Sequence, residues 1–245
     1  MPDYNLKVSE LIELCPSAKA VRFELNGNPF NFMPGQFIML QADLEKTEKF
    51  KINGDKPKIQ KRAFSMSSSP TEKKFLEVTV KTTEEPFFSD YLINYLEVGE
   101  EFNVKGPFGM FYFDEKKANK DIILIGAGSG ISPLMSILRY INDKKLKINV
   151  HIIFSNKTEK EILWREEIEK LSGKNNFSHE FTLTKEEWSG TTGRVNKEII
   201  QKKLKDPNKT DFYLCGPPLF VKDIERILIV DLKIPKENVK KEIYN

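Results

Sequence analysis

Hydrophobic and polar positions alternate in short runs over the first half of the chain. In AVRFEL (20–25), apolar side chains occupy every second position, which is typical of a half-buried β-strand. The runs QFIML, AFSM, FLEVTV and EFNV predict further strands, and Asn26-Gly27 predicts a tight hairpin turn. One helix is indicated, with Ser89 as its N-cap and Gly99 beyond its end. The whole stretch from residue 6 to about 113 has this character, and we expect six strands and one helix in it, which predicts a small antiparallel barrel.

Beyond residue 120 the pattern changes to strongly apolar runs that alternate with helical spacing. IILIGAG is followed by a helical pattern at 131–141, INVHIIFS by one at 162–171, and DFYLCG by one at 221–228. SHEFTLT indicates a further strand between the last two. This alternation predicts crossover units, and therefore a parallel sheet with helices on both faces.

A polar segment, DEKKANK at 114–120, separates the two patterns, and a chain of 245 residues is long enough for two domains. We therefore expect an antiparallel six-stranded β-barrel domain at 1–115 and a doubly wound parallel α/β domain at 119–245. The charged stretch at 43–61 contains few apolar residues, which predicts an exposed loop or hairpin within the first domain.

Composition narrows the classes of function. Apolar residues make up 39% of the chain and charged residues 31%, which is typical of a globular protein. The net charge of +3 gives little reason to expect a nucleic-acid partner. We expect a cytoplasmic protein without a membrane span, because the N-terminus lacks a signal-peptide core and no run approaches ~18 apolar residues. Two cysteines cannot supply the four ligands of a typical iron–sulfur cluster, so any cluster belongs to a partner.

A glycine-rich turn follows the strand IILI and offers the first candidate site. Gly126, Gly128 and Gly130 precede Ser132-Pro133, which we interpret as the N-cap and first residue of a helix. A strand, a glycine turn and a helix N-terminus together form an anion site, because unpaired N–H groups and the helix dipole face the phosphate. The spacing is GxGxG and not the GxGxxG of the common dinucleotide fingerprint. A tight turn without a ligand remains the alternative.

The run RAFSMSSSP (62–70) lies on a predicted barrel strand. Alternation places Arg62 and Phe64 on one face, where a guanidinium can meet a phosphate and an aromatic ring can meet a planar ligand. A polar barrel strand that ends in a Ser/Pro turn is the alternative.

LCGPP (214–218) closes a predicted parallel strand at the edge of the sheet where α/β proteins bind ligands. Cys215 there can lie against a flat ring, and Gly216 lets a ligand approach the backbone, although most unpaired cysteines are simply buried. At the C-terminus, Glu242 and Tyr244 share a face if the chain is extended, and a frayed tail is the alternative.

Six of these motifs resemble, in order, those of the ferredoxin–NADP reductase superfamily. FMPGQFIML is similar to the family's PGQ strand, RAFS to its RxYS flavin motif, and VKGPFGMF to its GPxG segment. GAGSGISP is similar to its GGTGxxP nucleotide turn, WSGTTGRV to a WxGxxGR segment, and CGPP to its CGPP signature. The resemblance covers nearly the whole chain.

The resemblance implies a flavoprotein whose barrel holds FAD, with FMN as the alternative. It implies Arg62 on the flavin phosphates, Phe64 against the isoalloxazine and Ser65 near the reactive N5 atom. The remaining flavin contacts that it implies are Ala63, Val78, Val80, Lys81, Phe88 and Ser89. Phe88 stacks on the adenine or, alternatively, plugs the barrel.

The α/β half is expected to hold NADH or NADPH. The resemblance implies nucleotide contacts from Gly126, Gly128, Ser129, Gly130, Ser155, Asn156, Lys157, Cys215, Gly216 and Pro217. It also implies that Ser65, Cys215, Glu242 and Tyr244 surround the place where a hydride passes from nicotinamide to flavin. The sequence FSNKTEKEILWREEIEKL resembles the NADH-using cytochrome b5 reductase branch, although Lys157 and Arg165 could also meet the 2′-phosphate of NADPH.

The function that these features predict is electron transfer from NAD(P)H through the flavin to a separate acceptor protein. Ferredoxin, an iron–sulfur protein, or a haem or oxygenase component would serve as the partner, steered by basic residues such as Lys56, Lys58 and Lys61. Two alternatives stay open: a reductase of free flavin, and an electron-relay subunit of a larger dehydrogenase or oxygenase complex. We expect no metal site within the chain.

Overall fold

A computed structural model describes residues 3–44, 59–82, 87–174 and 176–244. Most of the charged stretch at 43–61, including Lys56 and Lys58, lies outside these ranges. Within them, the first half of the chain forms one six-stranded antiparallel sheet in the order β4-β3-β6-β1-β2-β5. Its strands are β1 (Asp3–Cys15), β2 (Ala18–Glu24), β3 (Phe37–Asp43), β4 (Ile59–Ser65), β5 (Phe75–Lys81) and β6 (Glu101–Phe108).

The two outer strands of this sheet, β4 and β5, meet where a bridge joins Met66 to Val78. The sheet thereby closes into the predicted six-stranded barrel. Helix α1 (Phe87–Asn94) covers the barrel core with its buried face, which includes Phe88 and Tyr91. Aromatic and β-branched side chains fill the interior because every strand turns alternate residues inward.

The second half of the chain forms a parallel sheet. Among the described residues it has six strands in the order β10-β9-β8-β7-β11-β12. These are β7 (Asp121–Ala127), β8 (Asn149–Asn156), β9 (Phe177–Leu183), β10 (Thr191–Thr192), β11 (Thr210–Gly216) and β12 (Val239–Ile243). The helices are α2 (Ile131–Asp143), α3 (Arg165–Ser172), α4 (Lys197–Gln201) and α5 (Pro218–Arg226).

The helices cover both faces of this sheet, as the alternating pattern predicted. Helices α2 and α3 pack on one face, around a core that includes Leu124 and Ile152. Helices α4 and α5 pack on the other face, around Ile125 and Leu214. The strands are apolar on both faces because both are buried, which is the usual character of a doubly wound sheet.

The strand order reverses between β7 and β11, and this reversal decides where a ligand can enter. To one side of β7 the order continues through β8, β9 and β10, and to the other side through β11 and β12. Connections leave β7 and β11 in opposite directions, so a crevice opens at their carboxyl ends. The glycine turn after β7 and the segment Cys215–Pro217 at the end of β11 both lie there.

Three local predictions were wrong. Asn26 and Gly27 form a turn with φ of 48° and 79°, but β2 pairs with β1 and β5 and not with the next strand, so the turn closes no hairpin. Ser89 lies in the first turn of α1 and not at its N-cap, because the helix begins at Phe87.

Helix α2 begins at Ile131, directly after a 3-10 turn at Gly128–Gly130, so Ser132 lies inside it and Gly130 is the N-cap. The N-cap prediction failed because the 3-10 turn already directs the chain into the helix. In the described ranges, no helix has the length and apolar character needed to span a membrane.

Candidate functional site

The turn after β7 is built for close approach of two chain segments. Gly128 has a φ of 56°, a conformation that glycine adopts without steric cost. A Cβ atom at Gly130 would lie 2.3 Å from the carbonyl oxygen of Cys215, and one at Gly126 would lie 2.8 Å from the side chain of Leu134. Glycine at 130 is therefore required for packing against backbone, at 126 it spares the Leu134 side chain a shift, and at 128 it suits the backbone conformation.

Helix α2 starts at this turn with its backbone donors uncapped by any side chain. Ser132, on the first turn of the helix, is 1% exposed, and its hydroxyl has no hydrogen-bond partner among the described residues. Buried hydroxyls are nearly always bonded, so this one is available to a ligand. The sequence pattern indicated only a capping role for Ser132. Its position in the turn that carries the nucleotide motif is the signal that could have marked it.

Four residues converge beside the turn: one each from β4, β11 and β12, and Tyr244 directly after β12. The Ser65 hydroxyl at the end of β4 donates to Glu242 Oε2 over 3.1 Å, so a barrel residue and a residue of β12 are in direct contact. Parallel pairing of β11 with β12 places Cys215 opposite Glu242, and the backbone N–H of Tyr244 donates to the carbonyl of Gly216 over 3.0 Å. The structure thus brings together Ser65, Cys215, Glu242 and Tyr244, as the resemblance implied.

Burial dominates the electrostatics of this cluster. It raises the pKa of Glu242 to about 7, and the hydrogen bond from Ser65 opposes that rise only in part. Burial also raises the pKa of the Cys215 thiol and of the Tyr244 hydroxyl, and the nearby carboxylate of Glu242 adds to both shifts. Near neutral pH the thiol and phenol are therefore uncharged, and Glu242 exchanges its proton readily.

The side chain of Tyr244 reaches both Ser65 and Cys215. Its hydroxyl is buried beside both side chains without forming a hydrogen bond of good geometry to any described residue. Gly109, with a φ of 99°, closes the same site from the barrel side, since a Cβ atom there would lie 3.9 Å from Glu242 Oε1. Gly109 belongs to the GPxG segment, and its closeness to Glu242 was not expected from the sequence.

Along the flavin motif on β4, solvent exposure decreases from Arg62 to Ser65. Arg62 and Ala63 are exposed, Phe64 is half-buried, and Ser65 is buried. The ring of Phe64 lies 6.2 Å from that of Phe88, which is 1% exposed in the barrel core and stacks on Tyr91. This burial favours the alternative in which Phe88 plugs the barrel over the one in which it stacks on adenine.

The other expected flavin contacts lie along β5 and α1. Val78 and Val80 have fully buried side chains, so only their backbone groups are left to contact a cofactor. Lys81 lies 3.6 Å from Glu161 of the nucleotide half, where it forms an ion pair. Ser89 lies in the first turn of α1, where backbone donors of a helix face outward.

The carboxyl end of β8 holds the remaining predicted nucleotide contacts. Ser155 and Asn156 are buried, Lys157 is exposed, and Asn156 Oδ1 has no partner in the described ranges. Thr182 pairs with Ser155 across β8 and β9 and is fully buried with an unpartnered hydroxyl. The sequence of β9, FSHEFTL, mixes polar and apolar residues, so no local pattern marks Thr182.

Arg165 is engaged by carboxylates within its own half. It donates to Glu159 over 2.5 Å and to Glu169 over 2.9 Å. No group of three or more His, Cys, Asp or Glu residues suited to a metal ion occurs in the part of the chain that the structure describes.

Two family models match the chain, one in each half. The oxidoreductase FAD-binding domain matches residues 5–113, and the oxidoreductase NAD-binding domain matches residues 124–226. Together they cover most of the chain, in the order that the motifs predicted. They confirm FAD and a nicotinamide nucleotide as the expected pair of ligands.

Curated relatives are longer than this chain. The glycine betaine monooxygenase reductase subunit of Chromohalobacter salexigens is 27% identical over 81% of this chain and 52% of its own length. The phenol hydroxylase P5 protein of Acinetobacter pittii is 27% identical over 89% of this chain and 59% of its own length. The chain therefore spans about half to three-fifths of the length of these relatives.

The same architecture occurs in a solved structure of similar size. The FAD/NAD-binding domain of nitric oxide dioxygenase from Vibrio cholerae superposes with a TM-score of 0.84, at 20% identity, over 98% of both chains. At that identity the likeness concerns the fold alone. It confirms a barrel followed by a doubly wound α/β sheet.

Proposed function

Since this chain belongs to the ferredoxin reductase-like superfamily of FAD- and NAD-binding oxidoreductases, we propose that it moves electrons from a reduced nicotinamide nucleotide, through bound FAD, to a separate acceptor protein. One observation carries the proposal. Ser65 of the barrel and Glu242 of the α/β half share a hydrogen bond of 3.1 Å beside Cys215. A flavin held by the barrel and a nucleotide held by the α/β half would meet at this contact.

The residues present fit both ligands. The uncapped start of α2 and the unpartnered hydroxyl of Ser132 suit the phosphate side of a dinucleotide. The exposed guanidinium of Arg62 suits the phosphates of FAD, and Cys215 and Tyr244 offer uncharged surfaces to flat rings. When bound, the flavin supplies the redox chemistry, because it accepts a hydride and releases electrons one at a time.

The chain's own residues would position the flavin and nicotinamide rings, and one of them can bind and release a proton. Cys215 is fully buried, so solvent does not reach its thiol. Tyr244 occupies the same space and would have to yield it to the nicotinamide. Glu242, with a pKa of about 7, can hold a proton near neutral pH, and the Ser65 hydroxyl connects it to the barrel side.

NADH is the preferred nucleotide in this proposal. Arg165, one of the two basic residues that could accept a 2′-phosphate, is already compensated by Glu159 and Glu169. An added phosphate would have to compete with these carboxylates. The segment after β8 also contains Glu159 and Glu161, and carboxylates at such a position suit the ribose hydroxyls of NADH.

The acceptor is a protein in this proposal, and its class follows from the relatives. The Chromohalobacter salexigens relative is a reductase subunit of a monooxygenase, which suggests an oxygenase or iron–sulfur component as the acceptor. A cytoplasmic location, the domain division at 115–119 and the roles of the individual site residues remain part of the proposal.

The absorption spectrum of the purified protein tests this function. We expect a flavin spectrum that is bleached on anaerobic addition of NADH, and more slowly by NADPH. Absence of flavin even after reconstitution would refute the proposal. If flavin is bound but neither NADH nor NADPH bleaches it, the chain is not a reductase, and electron relay within a larger complex becomes the favoured function.

A Cys215→Ser variant tests the placement of the site. We expect it to keep its flavin and to be reduced by NADH about 10- to 100-fold more slowly, because the exchange alters the contact surface for the rings. Cys15→Ser is the matched control, since Cys15 is also buried and unpaired but lies in β1. Loss of flavin from Cys215→Ser alone would contradict this placement.

A further inference from the structure

Helix α2 carries a stripe of polar residues along one face. Ser132, Ser136, Arg139 and Asp143 follow one another at helical spacing, and the first three are buried or nearly so. Residues spaced in this way lie on one face of a helix. The stripe begins at the glycine turn. Helix α2 therefore links the residues that contact the stripe to the predicted nucleotide site.

Three residues of this stripe, Ser136, Arg139 and Asp143, contact the barrel. The Ser136 hydroxyl donates to the carbonyl of Ser68 over 2.7 Å, and Arg139 Nη1 donates to the carbonyl of Ser67 over 2.8 Å. Further along, the Thr71 hydroxyl donates to Asp143 over 2.6 Å. The segment 67–71 directly follows the flavin motif that ends at Ser65.

Arg139 is the centre of this contact. Its Nη1 atom lies 2.5 Å from Glu77 Oε1 of β5, and its Nε and Nη2 atoms donate to Glu167 of α3 over 2.7 and 2.6 Å. Its guanidinium lies 4.4 Å from the ring of Trp164, whose indole N–H donates to Thr79 of β5 over 3.2 Å. One side chain thereby joins two elements of the α/β half to the barrel.

Both carboxylate oxygens of Glu77 are hydrogen-bonded in this contact. Its side chain is fully buried, and it also accepts from Arg22 over 2.9 Å and from the Ser67 hydroxyl over 2.9 Å. A buried carboxylate is costly unless it is paired and hydrogen-bonded, so Glu77 requires its partners in place. Replacing Glu77 would deprive both Arg139 and Arg22 of this carboxylate, whereas replacing Arg139 leaves Glu77 paired with Arg22 and the Ser67 hydroxyl.

We infer that Arg139 is a positioning residue that fixes the nucleotide turn over the flavin strand through its bonds to Glu77 and Ser67. The inference rests on the proposed function. It specifies which residue sets the position of the nucleotide turn relative to the flavin strand. The role proposed for Arg139 requires no contact with either ligand. It acts through α2, whose first residues form the nucleotide turn, and through residues 67–69, which continue the strand of Ser65.

The test compares Arg139→Gln with wild type, with Arg139→Lys and with Arg226→Gln. Lysine keeps the charge of Arg139. Arg226 pairs with Asp231 over 3.1 Å inside the α/β half, so its exchange removes an arginine ion pair without touching the barrel. Two readouts are used: hydrogen exchange of the backbone, and anaerobic reduction of the flavin at saturating NADH.

In Arg139→Gln, we expect backbone exchange at residues 66–69 and 131–143 to be at least about tenfold faster, because the contact between the halves opens locally. We expect the limiting rate of flavin reduction to fall about 10- to 100-fold with half-saturation changed less than about threefold. Reoxidation of dithionite-reduced flavin by ferricyanide should be unchanged, since it needs no nucleotide. Arg139→Lys should recover most of the rate, and Arg226→Gln should match wild type.

Unchanged exchange in Arg139→Gln, or reduction at the wild-type rate, would overturn the inference. So would an equal loss in Arg226→Gln, or an equal slowing of reduction and reoxidation. Failure of the proposed function would show in the wild type, as protein without flavin or flavin that no nucleotide bleaches. Hydrogen exchange can be measured without reducing the flavin. It therefore tests the role of Arg139 whether or not the wild type shows the proposed function.

Discussion

At the scale of single residues, burial sets the chemistry of the site more than charge pairing does. Glu242 is the clearest case, because its pKa rises to about 7 despite a hydrogen bond from Ser65 that favours the charged form. Cys215 lies opposite it in the neighbouring strand and is kept as a thiol by the same burial. A site of this kind offers uncharged surfaces to planar rings and one exchangeable proton.

The shifted pKa of Glu242 predicts a pH-dependent stability. Since burial raises this pKa from 4.5 to about 7, the folded chain binds more protons than the unfolded chain between these values. The stabilising contribution is thus fully present below pH 4.5 and is lost as the pH rises through about 7. Between about pH 5 and 8, we expect flavin-free wild type to lose about 2 kcal/mol of unfolding free energy relative to Glu242→Gln.

Urea unfolding of both proteins at the two pH values measures this difference. Gln is a neutral amide of similar shape, so the variant keeps the packing and lacks the titration. If the two proteins show the same pH dependence, Glu242 has an ordinary pKa in the folded chain.

At the scale of elements, the close approach of two turns defines the nucleotide crevice. The turn after β7 and the end of β11 pass so closely that Gly130 has no room for a side chain beside the carbonyl of Cys215. Strand β12 then adds next to β11 and brings Glu242 and Tyr244 to the same edge. Three elements from distant parts of the chain thereby form one surface.

Gly130→Ala tests this packing. The added Cβ atom would lie 2.3 Å from the Cys215 carbonyl, so the turn must shift, and we expect a loss of about 1–3 kcal/mol in unfolding free energy. The flavin reduction rate with NADH should fall as well. Gly173→Ala serves as control, because its φ is −71° and its added Cβ atom meets the nearest atom at 3.5 Å. Equal stability of the two variants would show that the turn tolerates a side chain.

The elements were largely predictable from sequence, and the errors have local causes. Apolar periodicity identified strands β2 to β9 and β11, and helices α2, α3 and α5, because burial of one or both faces dictates it. It did not mark β1, the two-residue strand β10 or the short helix α4. The N-cap roles of Ser89 and Ser132 were wrong because the helices begin at Phe87 and Ile131, two residues and one residue earlier. The tail was left open between an extended strand and a frayed end, and its pairing with β11 depends on a strand that is not adjacent to it in sequence.

At the scale of the whole molecule, the two halves share one site and one contact surface. Ser65 and Glu242 join them at the site, while Arg139 and Glu77 join them behind it. An enzyme that passes electrons to a protein must keep its flavin through many turnovers, whereas a free-flavin reductase releases it. The enclosed position of the site between the halves favours retention.

We therefore expect the purified protein to retain its flavin in gel filtration, at about one flavin per chain. The ratio of flavin absorbance to protein absorbance in the eluted peak measures this stoichiometry. Elution of free flavin behind flavin-free but active protein would support the free-flavin reductase and contradict transfer to an acceptor protein.

The sequence by itself determined the two architectures, their order and the motifs of each half, because periodicity, glycine turns and strand ends are local features. Only the tertiary structure decided that Ser65 bonds to Glu242, that Phe88 fills the barrel, and that Ser132 and Thr182 have unpartnered hydroxyls at the crevice. It also decided the bond from Arg139 to Glu77. These contacts join residues far apart in the chain, and their partners follow from strand order, register and the docking of the halves, which no local pattern encodes.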